Sequence, residues 1–158
     1  EEFKKIKNLF TEWDESLKNN KLMYFDGVWE EFFAQDGKLI SSPPWGKITS
    51  IKIDNGKTNW SVPFGVENGK NIGLFNYGGL SITSSNLLIA TGTVDNFVSI
   101  IDTTNGKTLW NFEMDAEGTA APLIYNYNGK SFLAVISTGG LYPNSKKDSS
   151  LYIFGIKN

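Results

Sequence analysis

The sequence predicts an all-β fold, and three features of the chain lead to that prediction. From residue 46 onward, short segments rich in β-branched and aromatic residues follow one another. Asn-Gly pairs, which favour tight turns between antiparallel strands, separate several of these segments, at residues 55–56, 105–106 and 128–129. The phrase NGKTNW at 55–60 returns as NGKTLW at 105–110, fifty positions later. A period of this length that holds about four strands is typical of a β-propeller blade, so we predict a partial β-propeller.

The first part of the chain is predicted to differ from the rest. Apolar residues in 1–20 recur at spacings of three and four with charged residues between them, which predicts a short N-terminal amphipathic helix. They are Phe3, Ile6, Phe10, Trp13 and Leu17. Residues 21–44 end in two prolines followed by Trp-Gly, and they predict an irregular segment. We therefore divide the chain into a helix with an irregular lead-in, 1–44, and propeller blades, 45–158.

The order of the segments predicts which blades are present. We assign a half blade to 47–64, a full blade to 80–114 and a three-stranded last blade to 121–156. Propellers close in a way that removes open sheet edges, so the last sheet is expected to take a strand from the other terminus. The Asn-Gly pairs predict type I′ turns, with positive φ at both residues. Trp60 and Trp110, which end the repeated phrase, are predicted to pack between neighbouring sheets.

Composition excludes several kinds of chemistry. The chain has 158 residues and a net charge of −2, contains no His and no Cys, and its fifteen basic residues are all Lys. A zinc site built on Cys or His, a Cys nucleophile and a Ser-His pair are therefore excluded. Without Arg the chain lacks the bidentate donor that nucleic-acid readout favours, and we expect no nucleic-acid partner. No apolar run is long enough to predict a membrane span.

Three Gly-Lys-Ser/Thr phrases are similar to part of a phosphate-binding loop. That loop also needs a Gly five positions before its second Gly, so that backbone N–H groups wrap the phosphate. This chain has Ile51, Ile101 and Ile124 at those positions. We reject a phosphate loop, and we predict no catalytic and no metal-ligating residue anywhere in the chain.

One element, GLFNYGGLSI at 73–82, indicates a binding role. A polar Asn76 followed by an aromatic residue and two glycines, just before the first strand of a blade, suggests close approach of the backbone to a ligand. In a propeller this position lies near the central channel. An ordinary turn between blades is the alternative, and the residues taken alone favour it.

Two longer stretches resemble a known family. FFAQDGKLISSPPWGKITSIKIDNGKTNWSVPFG at 32–65 and NYGGLSITSSNLLIATGTVDNFVSIIDTTNGKTLWNFEMDAEGTAAPLIYNYNGKSFLAVISTGG at 76–140 are similar to PQQ-dependent quinoprotein dehydrogenases of the glucose dehydrogenase type. The resemblance covers roughly residues 25–156 and corresponds to the C-terminal portion of such an enzyme. PPWG, NYGG and AAPLIYNYNGK in this order carry it.

The resemblance implies an eight-bladed propeller that holds PQQ and Ca²⁺ near its axis and oxidises a sugar or alcohol. It implies that an Asp base takes the proton of the substrate hydroxyl, and that a quinone or a cytochrome receives the electrons. The periplasm is the expected location. Asn76 is the one cofactor contact that carries over, since its amide can bond an oxygen of PQQ. The catalytic Asp and the Ca²⁺ ligands are expected upstream of this chain, in the remaining blades, which are its expected partners.

Taken alone, the chain is expected to be an inactive fragment of a PQQ-dependent dehydrogenase. The alternative is a non-catalytic PQQ-repeat propeller that acts as a protein-assembly scaffold. NYGG and PPWG favour the enzyme, because a scaffold has no need of an element that lines a cofactor.

Overall fold

The computed structural model describes residues 32–35, 39–141 and 145–155. The helix predicted at 1–20 lies outside these residues. The chain forms two compact units, Glu1–Ile40 and Ser41–Asn158.

In the first unit, the described residues on either side of 36–38 pair with each other in an antiparallel arrangement. Phe33 and Leu39 make a single antiparallel bridge. The Ile40 N–H donates to the Phe32 carbonyl oxygen at 3.0 Å.

All regular secondary structure in the described part of the second unit is β-strand. The strands are β1 (Lys47–Ile51), β2 (Thr58–Pro63), β3 (Val66–Glu67), β4 (Lys70–Asn71), β5 (Leu80–Ile82), β6 (Leu87–Ala90), β7 (Phe97–Asp102), β8 (Thr108–Glu113), β9 (Leu123–Tyr127), β10 (Lys130–Gly139) and β11 (Lys147–Gly155). A search of the described residues finds no helix with the length and apolarity needed to cross a membrane.

The strands form four antiparallel sheets. β1 pairs with β2, and β3 pairs with β4. β5 to β8 form a four-stranded meander, and β9 to β11 form a three-stranded one. The predicted all-β fold of partial-propeller type is therefore confirmed. We call the four-stranded meander of β5 to β8 the complete blade, and the assignment of blades to 47–64, 80–114 and 121–156 stays a prediction. The small β3–β4 hairpin was not predicted, and the domain division at residues 44 and 45 stays a prediction.

The type I′ prediction is right for one of the three Asn-Gly turns. Asn128 and Gly129 have φ values of 49° and 73°, so both lie in the left-handed region between β9 and β10. At 55–56 and 105–106 only the glycine has a positive φ, of 69° and 76°. The prediction is wrong for these two turns.

The repeated phrase instead builds the same longer loop twice. In each copy the glycine N–H donates to a carbonyl oxygen four residues back, at Lys52 and Asp102, with both distances 2.8 Å. The asparagine side-chain oxygen accepts the N–H of the lysine two residues on, at 2.9 Å for Lys57 and 2.8 Å for Lys107. The asparagine therefore stabilises the loop through its side chain, and only the glycine needs the left-handed conformation.

Two apolar clusters join the sheets side by side. Because successive side chains of a strand point to opposite faces, β6 directs Leu88 and Ala90 to one side and Ile89 to the other. The first cluster joins the β1–β2 hairpin to the complete blade; it contains Ile48, Phe64, Leu88, Ala90 and Ile101. The second joins the complete blade to the three-stranded sheet; it contains Ile89, Val98, Met114, Leu133 and Val135. The complete blade is therefore covered on both faces.

The two repeated tryptophans are placed differently. The Trp60 Nε1–H donates to the Thr103 carbonyl oxygen at 2.8 Å. A Cβ added to Gly106 would lie 2.7 Å from the Trp60 ring, so the ring covers the next blade's turn, and its predicted packing between sheets is confirmed. Trp110 is 38% exposed and meets Phe154 of β11 edge-on, with ring centroids 5.3 Å apart. Among the described residues the Trp110 N–H has no acceptor.

A polar contact also joins the complete blade to the three-stranded sheet. The Tyr152 hydroxyl donates to Asp115 Oδ2 at 2.7 Å, and it accepts the Asp115 N–H at 3.2 Å. Lys146 Nζ lies 3.4 Å from Asp115 Oδ1. The hydrogen bond from Tyr152, followed by the charge of Lys146, lowers the pKa of Asp115 below its ordinary value.

Tyr152→Phe is expected to raise the pKa of Asp115 towards its ordinary value, because the substitution removes the main cause of the lowered pKa. A lowered folded-state pKa contributes stability above the unfolded pKa, and this contribution disappears as pH falls through the folded pKa. The variant should therefore lose stability near neutral pH and show a shallower decline under acid. NMR titration of the Asp115 carboxyl is the measurement, with Tyr125→Phe as control. An Asp115 pKa that is the same in Tyr152→Phe and wild type would contradict the assignment.

Candidate functional site

The NYGG element, residues 76–79, directly precedes β5 and lies beside the loop that joins β6 to β7. Asn76 makes an isolated antiparallel bridge with Thr93. The Tyr77 N–H donates to the Gly92 carbonyl oxygen at 3.1 Å. The element is therefore held by its neighbour in the complete blade.

The Asn76 carboxamide is oriented by two hydrogen bonds. Its Nδ2 donates to the Thr91 carbonyl oxygen at 2.8 Å, and its Oδ1 accepts the Gly78 N–H at 3.1 Å. A primary amide has two N–H donors and two acceptor lone pairs. One Nδ2–H and one lone pair on Oδ1 are left for a ligand.

Glycine at position 78 is required by contact within the chain. A Cβ at this position would lie 2.0 Å from the Thr91 carbonyl oxygen and 2.7 Å from the Gly92 Cα. No side chain fits that space. The close backbone approach expected from the sequence is therefore present, and the partner shown here is the loop between β6 and β7. Whether Asn76 also contacts a ligand stays a prediction.

A cleft of about 480 Å³ opens beside Asn76, between the β1–β2 hairpin and the start of β5. Its volume lies within the range of small-molecule sites, roughly 300–1,000 Å³. The aromatic side chains that line it are Trp45, Phe64, Phe75 and Tyr77, and Lys47 and Asn76 are among its polar residues. We call this space the NYGG cleft.

One wall of the NYGG cleft is aromatic. The Trp45 and Phe75 rings stack, with centroids 6.2 Å apart and planes at 19°. The Trp45 Nε1–H donates to the Ser41 carbonyl oxygen at 2.9 Å and lies 3.1 Å from the Ser41 hydroxyl. The Trp45 backbone N–H donates to the Gly73 carbonyl oxygen at 2.9 Å. These bonds position a flat apolar surface that Phe75 extends.

Lys47 supplies the charge of the NYGG cleft. It is the one ionisable residue besides Tyr77 among those that line the cleft, all of which belong to the described part of the chain. Its side chain is exposed, at the start of β1. An aromatic wall, an ammonium group and an amide N–H together suit a flat, anionic ligand.

The described residues offer no cluster of side chains suited to binding a metal ion. They contain no group of three or more His, Cys, Asp or Glu side chains that could hold one. The three Gly-Lys-Ser/Thr phrases are each followed by a strand, at β2, β8 and β10.

Comparison with known proteins identifies the family. The family model described as "PQQ: Glucose/ethanol/alcohol dehydrogenase, beta-propeller domain" matches residues 3–133. The chain belongs to this family. The cofactor that the family implies is PQQ, a flat tricyclic quinone with carboxylate groups, and the chemistry of the NYGG cleft fits it.

Two curated relatives show how much of a protein of this family the chain covers. The chain is 31% identical over 120 residues to the quinoprotein glucose dehydrogenase of Escherichia coli (strain K12). The aligned region covers 69% of this chain and 15% of that protein. The chain is 26% identical over 140 residues to the glycerol dehydrogenase large subunit of Gluconobacter thailandicus, and this aligned region covers 81% of this chain and 18% of that protein. The chain thus spans less than a fifth of the length of each relative.

A solved structure supports the fold. The quinohemoprotein alcohol dehydrogenase from Comamonas testosteroni aligns with a TM-score of 0.56 and 21% identity, over 69% of this chain and 16% of that one. The resemblance to quinoprotein dehydrogenases expected from the sequence is therefore confirmed at the level of the family.

Asn76 was predicted from the sequence as a site residue, but the other residues of the NYGG cleft were not. Trp45 lay in the quoted PPWG phrase and was not assigned a role, and Lys47 and Phe75 were not considered. The stack of Trp45 on Phe75 joins residues thirty positions apart, so no local periodicity indicates it. The sequence offered one signal for these residues: Trp45 and Lys47 lie in or next to PPWG, and Phe75 directly precedes NYGG.

Proposed function

We propose that this chain forms part of the cofactor site of a PQQ-dependent dehydrogenase that oxidises a sugar or an alcohol, with the NYGG cleft as its contribution. The observation that carries the proposal is that Asn76, the Trp45–Phe75 stack and Lys47 all line one cleft of a chain that belongs to this family. A glucose-type substrate is our choice because the quinoprotein glucose dehydrogenase of Escherichia coli is among the relatives.

A bound PQQ would supply the hydride acceptor for the oxidation of a substrate alcohol to a carbonyl compound. Asn76 would donate its remaining Nδ2–H to an oxygen of the quinone or of a carboxylate. Lys47 would pair with a carboxylate, and the Trp45–Phe75 surface would exclude water from one side of the cleft.

Further parts of the proposal lie beyond the described residues. We propose that a Ca²⁺ ion and the Asp base are held by other blades of the same protein, and that a quinone or a cytochrome takes up the electrons. We also propose a periplasmic location. The other blades would be the partners of the two outer sheets.

Asn76→Asp in the full-length protein is expected to weaken PQQ binding by at least about tenfold. The substitution places a carboxylate beside an anionic cofactor, and two unit charges about 4 Å apart at an effective dielectric near 20 repel by about 4 kcal/mol before solvent relaxes. It also removes the donor to the Thr91 carbonyl oxygen. The measurement is a titration of the cofactor-free protein with PQQ, well below the melting temperature.

Asn105→Asp is the matched control. Asn105 also accepts an N–H two residues on and donates to an oxygen, Asp102 Oδ2 at 2.8 Å, but it lies in the turn between β7 and β8. The Asn105→Asp protein should lose at least as much stability as Asn76→Asp, because its new carboxylate faces that of Asp102, and it should keep its PQQ affinity. An Asn76→Asp protein that titrates with PQQ as the wild type does would remove Asn76 from the cofactor site and restore the alternative of an ordinary inter-blade turn.

A further inference from the structure

The Asp95 carboxylate joins two separate segments of the chain. Its Oδ2 accepts the Val66 N–H at 2.6 Å. Its Oδ1 accepts the Phe97 N–H at 3.1 Å and the hydroxyl hydrogen of Thr93. One half-buried side chain therefore accepts three hydrogen bonds, one from β3, one from its own loop and one from the first residue of β7.

The Thr93 bond leads to the Asn76 side of the NYGG cleft. Thr93 is 1% exposed, and its backbone is bridged to Asn76. The neighbouring carbonyl oxygens of Thr91 and Gly92 accept the Asn76 side-chain donor and the Tyr77 N–H. A shift of the loop at Thr93 would therefore be transmitted to the carboxamide of Asn76.

The Val66 bond leads to the aromatic side of the cleft. β3 and β4 form the small hairpin that follows β2, and the Gly73 carbonyl oxygen just after this hairpin accepts the Trp45 backbone N–H. The Gly65 carbonyl oxygen accepts the Gly73 N–H at 3.1 Å. Holding Val66 in place therefore holds the segment against which Trp45 is fixed.

We propose that Asp95 is a positioning residue for the NYGG cleft, which sets the separation between the Trp45–Phe75 wall and the Asn76 amide and thereby the affinity for PQQ. This inference rests on the proposed function. Asp95 itself is not among the residues that line the cleft, so it acts through Thr93 and Val66. Hydrogen bonds to an ionised acceptor are roughly twice as strong as those between neutral groups, which suits a carboxylate to this task.

Asp95→Asn tests the proposal in the full-length protein. An amide nitrogen cannot accept a hydrogen bond, so the variant loses the bond to Val66 or the pair at Oδ1 while its shape is kept. We expect PQQ affinity to fall about tenfold. Hydrogen exchange at the Val66 and Tyr77 amides should accelerate, while amides in the β1–β2 turn keep their protection.

Asp102→Asn is the matched control. Asp102 also accepts three hydrogen bonds, from the Thr104 N–H at 2.8 Å, the Thr104 hydroxyl at 2.6 Å and the Asn105 amide at 2.8 Å, but in the outer turn after β7. It should keep its PQQ affinity. Equal losses of affinity in Asp95→Asn and Asp102→Asn would overturn the proposal, because the effect would then be one of general stability.

Thr93→Val provides a second, independent variant. It removes only the hydroxyl donor, and in a double-mutant cycle with Asp95→Asn the two losses of affinity should be less than additive. Full additivity, or an unchanged PQQ affinity in Thr93→Val, would overturn the route through Thr93. If Asp95→Asn does not fold, the Thr93→Val titration decides alone. The Asn76→Asp titration tests the proposed function separately, so a loss there with wild-type affinity in Asp95→Asn rejects only this inference.

Discussion

Trp60→Ala is expected to lower the free energy of unfolding by about 3 kcal/mol, near the lower end for truncation of a buried aromatic side chain because Trp60 is half-buried. The substitution removes the cover of the turn at Gly106 and the donor to the Thr103 carbonyl oxygen. It also removes apolar area from the cluster that joins β1–β2 to the complete blade. Chemical denaturation of the full-length protein, followed by circular dichroism, is the measurement.

Trp110→Ala is the control within the same repeat. Trp110 ends the same phrase, but it is 38% exposed and has no acceptor for its N–H among the described residues. Its loss should cost only about 1–2 kcal/mol. A Trp110→Ala protein that is destabilised as much as Trp60→Ala would show that Trp110 gains a comparable partner from outside the described residues.

Gly78→Ala is expected to be comparably damaging, for a different reason. The new methyl group would lie 2.0 Å from the Thr91 carbonyl oxygen, which is backbone and cannot rotate away. Either the NYGG element or the loop between β6 and β7 must move. Overpacking of this kind costs about 3 kcal/mol, the upper part of its usual range. PQQ affinity should fall as well, because Asn76 is anchored to the same carbonyl oxygen.

Gly155→Ala shows what an alanine costs where there is room. A Cβ at Gly155 would lie 3.6 Å from the nearest atom, on the Phe132 ring, which is an ordinary contact distance. The same change should therefore leave stability and PQQ affinity close to those of the wild type. Thermal unfolding and PQQ titration of the two variants side by side are the measurements. A Gly78→Ala protein as stable as Gly155→Ala would mean that the two segments are not packed as described.

The candidate site was only partly predictable from the sequence. Asn76 could be named because it stands in a short recognisable element and because the family resemblance assigns it a role. Its orientation could not be predicted, since it depends on the Thr91 carbonyl oxygen fifteen positions away. From the sequence, Asp95 is only a polar loop residue. Its role could not be predicted, because it depends on a hydrogen bond from the Val66 N–H, twenty-nine positions away.

The all-β fold, the repeat and the places of the turns could all be predicted from the amino-acid sequence. These properties are local: alternation of side chains along a strand and the conformational freedom of glycine act within a few residues. The conformation of the loops could not be predicted as well. The turns at 55–56 and 105–106 are not type I′, because the asparagine side-chain oxygen accepts a backbone N–H and this hydrogen bond competes with the backbone preference.

The roles of the repeated residues depend on contacts between distant segments of the chain. Trp60 and Trp110 occupy equivalent places in the sequence, yet the first covers the turn of the neighbouring blade and donates a hydrogen bond to it, while the second meets Phe154 of the neighbouring sheet and stays 38% exposed. A glycine is required at position 78 because the Thr91 carbonyl oxygen of the same chain leaves no room for a side chain. The burial of a side chain depends on the surface of the same chain that packs against it. That surface is assembled from distant segments, so it cannot be derived from a local sequence pattern.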